Sequence, residues 1–151
     1  MAVQFQGMSG MVELGELQID LRAFSIMQPW AWLIVNGHKD IENRDWKPWN
    51  HGLKFRGRVL IHAGKRMDTG AMDDLRQGVH PVTGDELTLD LPDVFELGGL
   101  IGEVDLVDCV TSSDSAWFVG PYGFVLRNPK PLAFRPCRGQ LGFFHPHIEV
   151  A

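Results

Sequence analysis

Residues 29–37, PWAWLIVNG, set the tightest limit on what this chain can fold into. Pro29 suits the first turn of a helix, where its missing N–H costs little, and Gly37 suits the residue that ends one. The helix predicted between them, roughly Trp30 to Asn36, carries Trp30, Leu33 and Ile34 on one face, with Gly37 continuing that stripe. Trp32 and Val35 make the other side apolar too. So short a helix, apolar nearly all round, has to be clamped between other elements. Yet the ten residues from Gly37 to Trp46, GHKDIENRDW, place Lys39, Asp40, Glu42, Arg44 and Asp45 almost in a row against it.

The flanking segments supply the clamp. AFSIMQ (23–28) reads as a short strand, and GRVLIHAG (57–64) as a β-branched strand with glycine at both ends. KDIENRDW alternates imperfectly, with Asp40, Glu42, Arg44 and Trp46 on one side if the segment is extended. A modest helix is expected within 67–78, then a long acidic insertion over 80–99. LIGEVDLVDCV, YGFVLRN and QLGFF supply three further strands. The opening residues lack periodicity and contain Gly7, Gly10 and Gly15, so 1–21 are expected to form a poorly ordered N-terminal extension with at most a docked strand. This order predicts an α+β fold, a small mixed β-barrel with a buried helix packed against it. Alternating βαβ units, GxGxxG and GxxxxGK[ST] are all missing, and no nucleotide cofactor is expected.

At 151 residues, 44% hydrophobic and 22% charged, the chain fits one domain with a real core. Two cysteines, Cys109 and Cys137, are too few for a disulfide framework, which makes a reducing cytoplasm the simplest compartment. The first twenty residues do not resemble a secretory signal, and no stretch reaches the roughly 18 apolar residues of a membrane span, so no membrane partner is expected. The net charge of −5 argues against indiscriminate binding of polyanions, but its distribution says more. Residues 39–66 carry eight Lys/Arg against three acids, whereas 67–108 carry eleven acids and only Arg76. Such polarity permits a basic face for phosphate; it equally permits a solvated strand pair beside an acidic loop.

The runs SIMQPWAWLIVNGHKDIENRDW, FRGRVLIHAGK, LIGEVDLVDCV, WFVGPYGFVL and CRGQLGFF, in that order, resemble the ASCH domain, a member of the PUA-like superfamily of small β-barrels. The resemblance implies one domain over 22–148, with the acidic insertion at about 67–99. It also implies a cleft between the first helix and the barrel, entered by GHKDIENR. The family includes modules that bind RNA or DNA and bacterial members that resemble hydrolases of modified nucleosides or of RNA. RNA or a nucleoside-like ligand is therefore the expected partner.

Lys39 matches the family lysine in G-x-K, which favours a phosphate or substrate contact; the helix dipole alone gives a lysine there only tenths of a kcal/mol. Beside a tryptophan-rich helix, Glu42 and Arg44 need partners. They either pair with each other or with Arg58, or they read the polar edge of a base. In the family's amidohydrolase branch the motif resembles G-x-K-T-x-T, and this chain has Asp40 and Glu42 in place of those threonines. The covalent mechanism lacks its hydroxyl here, leaving an enzyme alternative in which Glu42 is a general base on water and Lys39 neutralises developing charge. In SAWFVGPYGFVL, Trp117 and Tyr122 are either base-stacking rings or ordinary core, while Phe124 is expected in the core. Lys54, Arg56 and Arg58 alternate onto one face suited to a phosphate backbone, or to solvent. Arg138 in CRGQLG suits a phosphate or a cap on the last strand. His62, inside an apolar strand, is read first as a satisfied interior histidine. The HPH run at 145–147 lacks a third ligand, and no metal is expected. A protein-interaction module using 80–99 is the remaining alternative.

Overall fold

The structure, a computed structural model, describes residues 21–148. Residues 1–20 of the expected N-terminal extension lie outside the described residues. Strands β1 (Arg22–Gln28), β2 (Ile41–Arg44), β3 (Gly57–Met67), β4 (Gly99–Val110), β5 (Tyr122–Pro136) and β6 (Phe143–Phe144) form one sheet in the order β2-β5-β4-β3-β1-β6. β1 and β3 run parallel; the other neighbours are antiparallel. The sheet curls into a mixed half-barrel, consistent with the small mixed β-barrel expected from the sequence. Its two edges approach through aromatic rings: Trp46, just past β2, lies 5.9 Å from Phe143 of β6, and Phe143 stacks on Phe24 at 4.4 Å.

Helix α1 (Trp30–Val35) is clamped from both sides, as its composition demands. Ala31, Ile34 and Val35 pack into the main core with Phe24, Ile61, Ile101 and Val104 of the sheet. On the opposite side Leu33 meets Leu75 of helix α2 (Thr69–Arg76) and Trp117, with Leu87, Leu89 and Leu91 of the insertion against them. The insertion is thus a cover for α1 as well as an acidic loop. It is pinned by Phe95 edge-on to Trp32 at 5.8 Å and by Gln28 Nε2 donating to Glu96 O at 3.0 Å. The other end of the Gln28 amide serves the helix: its Oε1 accepts from Trp32 N at 2.9 Å. Gly37, at φ +82, ends the helix in a conformation that L side chains rarely adopt.

α1 lies so close to β4 that Gly102 is obligatory, because a Cβ there would sit 2.5 Å from Val35 Cγ1. Two expectations need correction. β3 runs past Gly64 to Met67, which carries Lys65 and Arg66 on the strand. Lys54 belongs to a 3-10 turn (His51–Lys54), so Lys54, Arg56 and Arg58 do not alternate along one strand face.

Candidate functional site

The chain leaves α1 by folding back beneath it. His38 N and Lys39 N both donate to Leu33 O, at 2.8 and 3.0 Å, and this carries the Lys39 side chain inward. Lys39 is buried with Nζ 2.9 Å from Glu42 Oε1, and Nζ also donates to Ile41 O. The other carboxylate oxygen, Glu42 Oε2, accepts from Arg44 Nη2 at 3.0 Å. That Nη2 also donates to Ser25 O at 3.1 Å, and the guanidinium lies over the Phe24 ring at 4.3 Å. The charges set against the buried helix therefore neutralise one another in a chain, Lys39–Glu42–Arg44. A buried carboxylate bridging two cations is tolerable where a lone one costs several kcal/mol. Both Glu42 oxygens are engaged. Arg58 takes no part: it faces β4, pairing with Glu103 at 3.2 Å and Asp105 at 3.1 Å.

Arg44 stands where three hollows meet. The largest, about 780 Å³, is bounded by Ser25 and Arg44 together with Lys65, Arg66 and Arg138, and among the described residues no carboxylate lines it. A second of about 380 Å³ shares Ser25 and Arg44 and reaches Glu42 and Trp30. A third of about 690 Å³ lies between Arg44, Trp46 and Lys54. Lys39 lines a further hollow of about 450 Å³, which shares Trp30, Glu42 and Asn43 with the second and is closed by Val119 and by Pro81 and Val82 of the insertion.

The expected site residues thus fall into three groups. Lys39, Glu42 and Arg44 form one connected network, and Arg138 and Lys54 border hollows that share Arg44. Arg56 is turned onto its own chain, donating to Leu53 O at 2.9 Å and Phe55 O at 2.7 Å. Trp117 is buried with the His80 ring against it at 4.0 Å, and half-buried Tyr122 packs against the main core. Phe124 is fully buried.

Lys65, Arg66 and Ser25 were not singled out from sequence. The signal for the two cations was the basic run continuing past Gly64 without an acid until Asp68. Asn43 was also missed. Its Oδ1 accepts from Val119 N and Gly120 N at 2.8 and 3.0 Å, and its Nδ2 donates to Trp117 O at 2.9 Å, so it ties the aromatic loop to β2.

His62 is interior, as read from sequence, with Nδ1 3.0 Å from Ser25 Oγ and Nε2 2.6 Å from Cys137 O. Burial holds its pKa below the ordinary value, against the opposing hydrogen bond to Cys137. His80 is lowered by burial too, with Asp85 opposing. Both cysteines are free thiols. Among the described residues no group of three or more His, Cys, Asp or Glu is placed to hold a metal, and no helix is long and apolar enough to cross a membrane.

Activating signal cointegrator 1 of Homo sapiens is 29% identical over 125 residues, covering 76% of this chain and 20% of its own length. Its Mus musculus counterpart is 30% identical over 130 residues, with the same shares. The chain spans about a fifth of the length of these curated relatives. The family model for the ASCH domain matches residues 24–124, from Phe24 beneath the Arg44 guanidinium to Phe124 opposite Glu42. That span holds the clamped helix and the whole Lys39–Glu42–Arg44 network, and the chain belongs to the ASCH domain family.

Proposed function

We propose that this domain binds single-stranded RNA, seating phosphates in the basic hollow that Arg44 shares with Lys65, Arg66 and Arg138. The observation that carries this reading is the lining itself: four cations and, among the described residues, no carboxylate, in a chain of net charge −5. A concave surface with one sign of charge focuses the field and draws in the opposite charge. At about 780 Å³ the hollow suits a nucleotide unit within the usual range of ligand sites. Lys39 acts indirectly here, fixing Glu42, which in turn holds Arg44 at the junction. Arg44 with Glu42 is the pair available to read the edge of a base. Buried Trp117, with the His80 ring against it, offers no free face for stacking a base.

The test is fluorescence anisotropy of a short labelled oligoribonucleotide over a range of salt concentrations. Replacing Lys65, Arg66 and Arg138 by Ala should weaken binding to all sequences alike. It should also lower the log–log salt slope by roughly 0.7 for each phosphate no longer neutralised. No binding by the wild type, or an unchanged affinity and slope in the triple variant, would reject the reading.

A further inference from the structure

We propose that Ser25 is a nucleophile, prepared by His62, toward a phosphodiester of the RNA seated in the basic hollow; the substrate rests on the binding reading above. Ser25 on β1 and His62 on β3 are register partners in the parallel pair, which brings Ser25 Oγ to 3.0 Å from His62 Nδ1. On the far side of the ring, His62 Nε2 lies 2.6 Å from Cys137 O. A carbonyl only accepts, so Nε2 carries the ring proton, Nδ1 offers its lone pair, and the Ser25 hydroxyl must donate. The carbonyl holds the tautomer here, as a carboxylate does in the familiar serine–histidine–aspartate arrangement. His62 is 2% exposed, and burial favours the neutral imidazole that can take a proton.

Three features distinguish this pair from an ordinary interior hydrogen bond. Ser25 is half-buried and borders both the 780 Å³ and 380 Å³ hollows. Arg44 is anchored to the carbonyl of that same serine, and its buried Nε has no partner among the described residues. Gly139 brings bare backbone against the pair, since a Cβ there would lie 2.7 Å from His62 Cε1 and 3.1 Å from Ser25 Oγ. Arg138, beside it, borders the hollow. A hydroxyl, its base and four cations, of which only Arg44 is paired with a carboxylate among the described residues, thus converge on one place, and a phosphate ester is the electrophile that suits all three.

In the step, Ser25 Oγ attacks phosphorus while its proton passes to His62 Nδ1. The bond from phosphorus to the leaving ribose oxygen breaks, and that oxygen, in line on the far side of phosphorus, takes its proton from solvent. Water then attacks the new serine–phosphorus ester from that open side and releases a proton to solvent, while the His62 imidazolium returns its proton to Ser25 Oγ as the serine leaves. The net reaction is hydrolysis, with Arg44 and Arg138 balancing charge on the non-bridging oxygens.

The test uses the full chain and a fluorophosphonate, a phosphorus electrophile that loses fluoride to an activated serine, followed by intact mass and peptide mapping. Expected is one adduct at Ser25, formed more slowly under saturating oligoribonucleotide and absent from Ser25→Ala. His62→Gln should slow it by roughly 100-fold or more. Should that variant not fold, the Ser25→Ala comparison, which removes one hydroxyl, still decides. RNA retention with no Ser25 adduct overturns the proposal and leaves the binding reading standing. An adduct at Ser25 without RNA retention or protection overturns it together with the binding reading.

Discussion

Lys39 and Glu42 meet at 2.9 Å with side chains only 3% and 10% exposed, and Arg44 closes the other side of the carboxylate at 3.0 Å. Removing the central anion strands two cations, one of them fully interior. Glu42→Ala should therefore destabilise the domain by about 3–5 kcal/mol. Asp40, two residues earlier and exposed, accepts from Ser115 Oγ at 2.5 Å in contact with water. Asp40→Ala should cost about 1 kcal/mol or less. Urea unfolding of the two variants checks this, and similar midpoints would contradict the network reading.

The approach of α1 to β4 gives a second expectation, with opposite signs at two glycines. A Cβ at Gly102 would meet Val35 Cγ1 at 2.5 Å and Lys130 O at 2.7 Å, one a packed helix and the other backbone. Gly102→Ala should cost about 1–3 kcal/mol and shift the emission of the tryptophans on α1. Gly70 lies within α2 at a helical φ, and its nearest contact would be an ordinary 3.7 Å to Asp68 Oδ1. Gly70→Ala should stabilise by roughly 0.4–1 kcal/mol. Thermal unfolding separates the two directly.

The helix, its glycine end and the succession of elements along the chain were legible because each is written in local periodicity and punctuation, whereas the order of the strands in the sheet was not. The clamped character of α1 was legible too, but not the identity of the outer clamp. Leu87, Leu89 and Leu91 sit in a segment dominated by its acids and prolines, and only the fold brings them onto Leu33. Trp117 was ambiguous for the same reason, since its cover, His80, lies 37 residues away. The basic residues were misgrouped where secondary structure changed. The 3-10 turn ending at Lys54 broke the expected alternation, and the run of β3 beyond Gly64 brought Lys65 and Arg66 to the hollow. Ser25 gave no signal, because a lone serine in a strand acquires meaning only from the histidine paired across from it.

Arg56 and Lys54, two residues apart, should behave differently. The Arg56 guanidinium closes the 3-10 turn by donating to Leu53 O and Phe55 O, and its distance to Asp108 is a loose 3.9 Å on an exposed surface. Arg56→Ala should lower stability by about 1 kcal/mol and leave RNA affinity in place. Lys54 borders the hollow that includes Arg44. Lys54→Ala should leave the unfolding midpoint nearly unchanged and reduce the salt slope of RNA binding by roughly 0.7. Titrations of both variants against one oligoribonucleotide, with paired melts, decide whether stability and binding separate this way.

Acidification should destabilise the domain in two stages. His62 and His80 both have pKa values held below the ordinary 6.5, chiefly by burial. His80 needs a neutral ring in the folded state, because its Nδ1 accepts from Val82 N and Thr83 N at 3.1 and 3.2 Å, whereas His62 is kept neutral by its burial. Below 6.5 the unfolded chain binds these protons first, so stability is full above that value and falls as pH drops toward the folded-state values. Asp105 behaves as a depressed carboxylate, held low first by the Asn128 hydrogen bond and then by Arg58. Its contribution is complete above its ordinary 3.8 and is lost only below it. A comparison between pH 7 and pH 5 therefore reports on the histidines and leaves Asp105 aside. The melting temperature should fall over that interval, and His80→Gln should shrink the fall while the wild type keeps it. Equal melting temperatures for the wild type at the two pH values would show that neither ring depends on staying neutral.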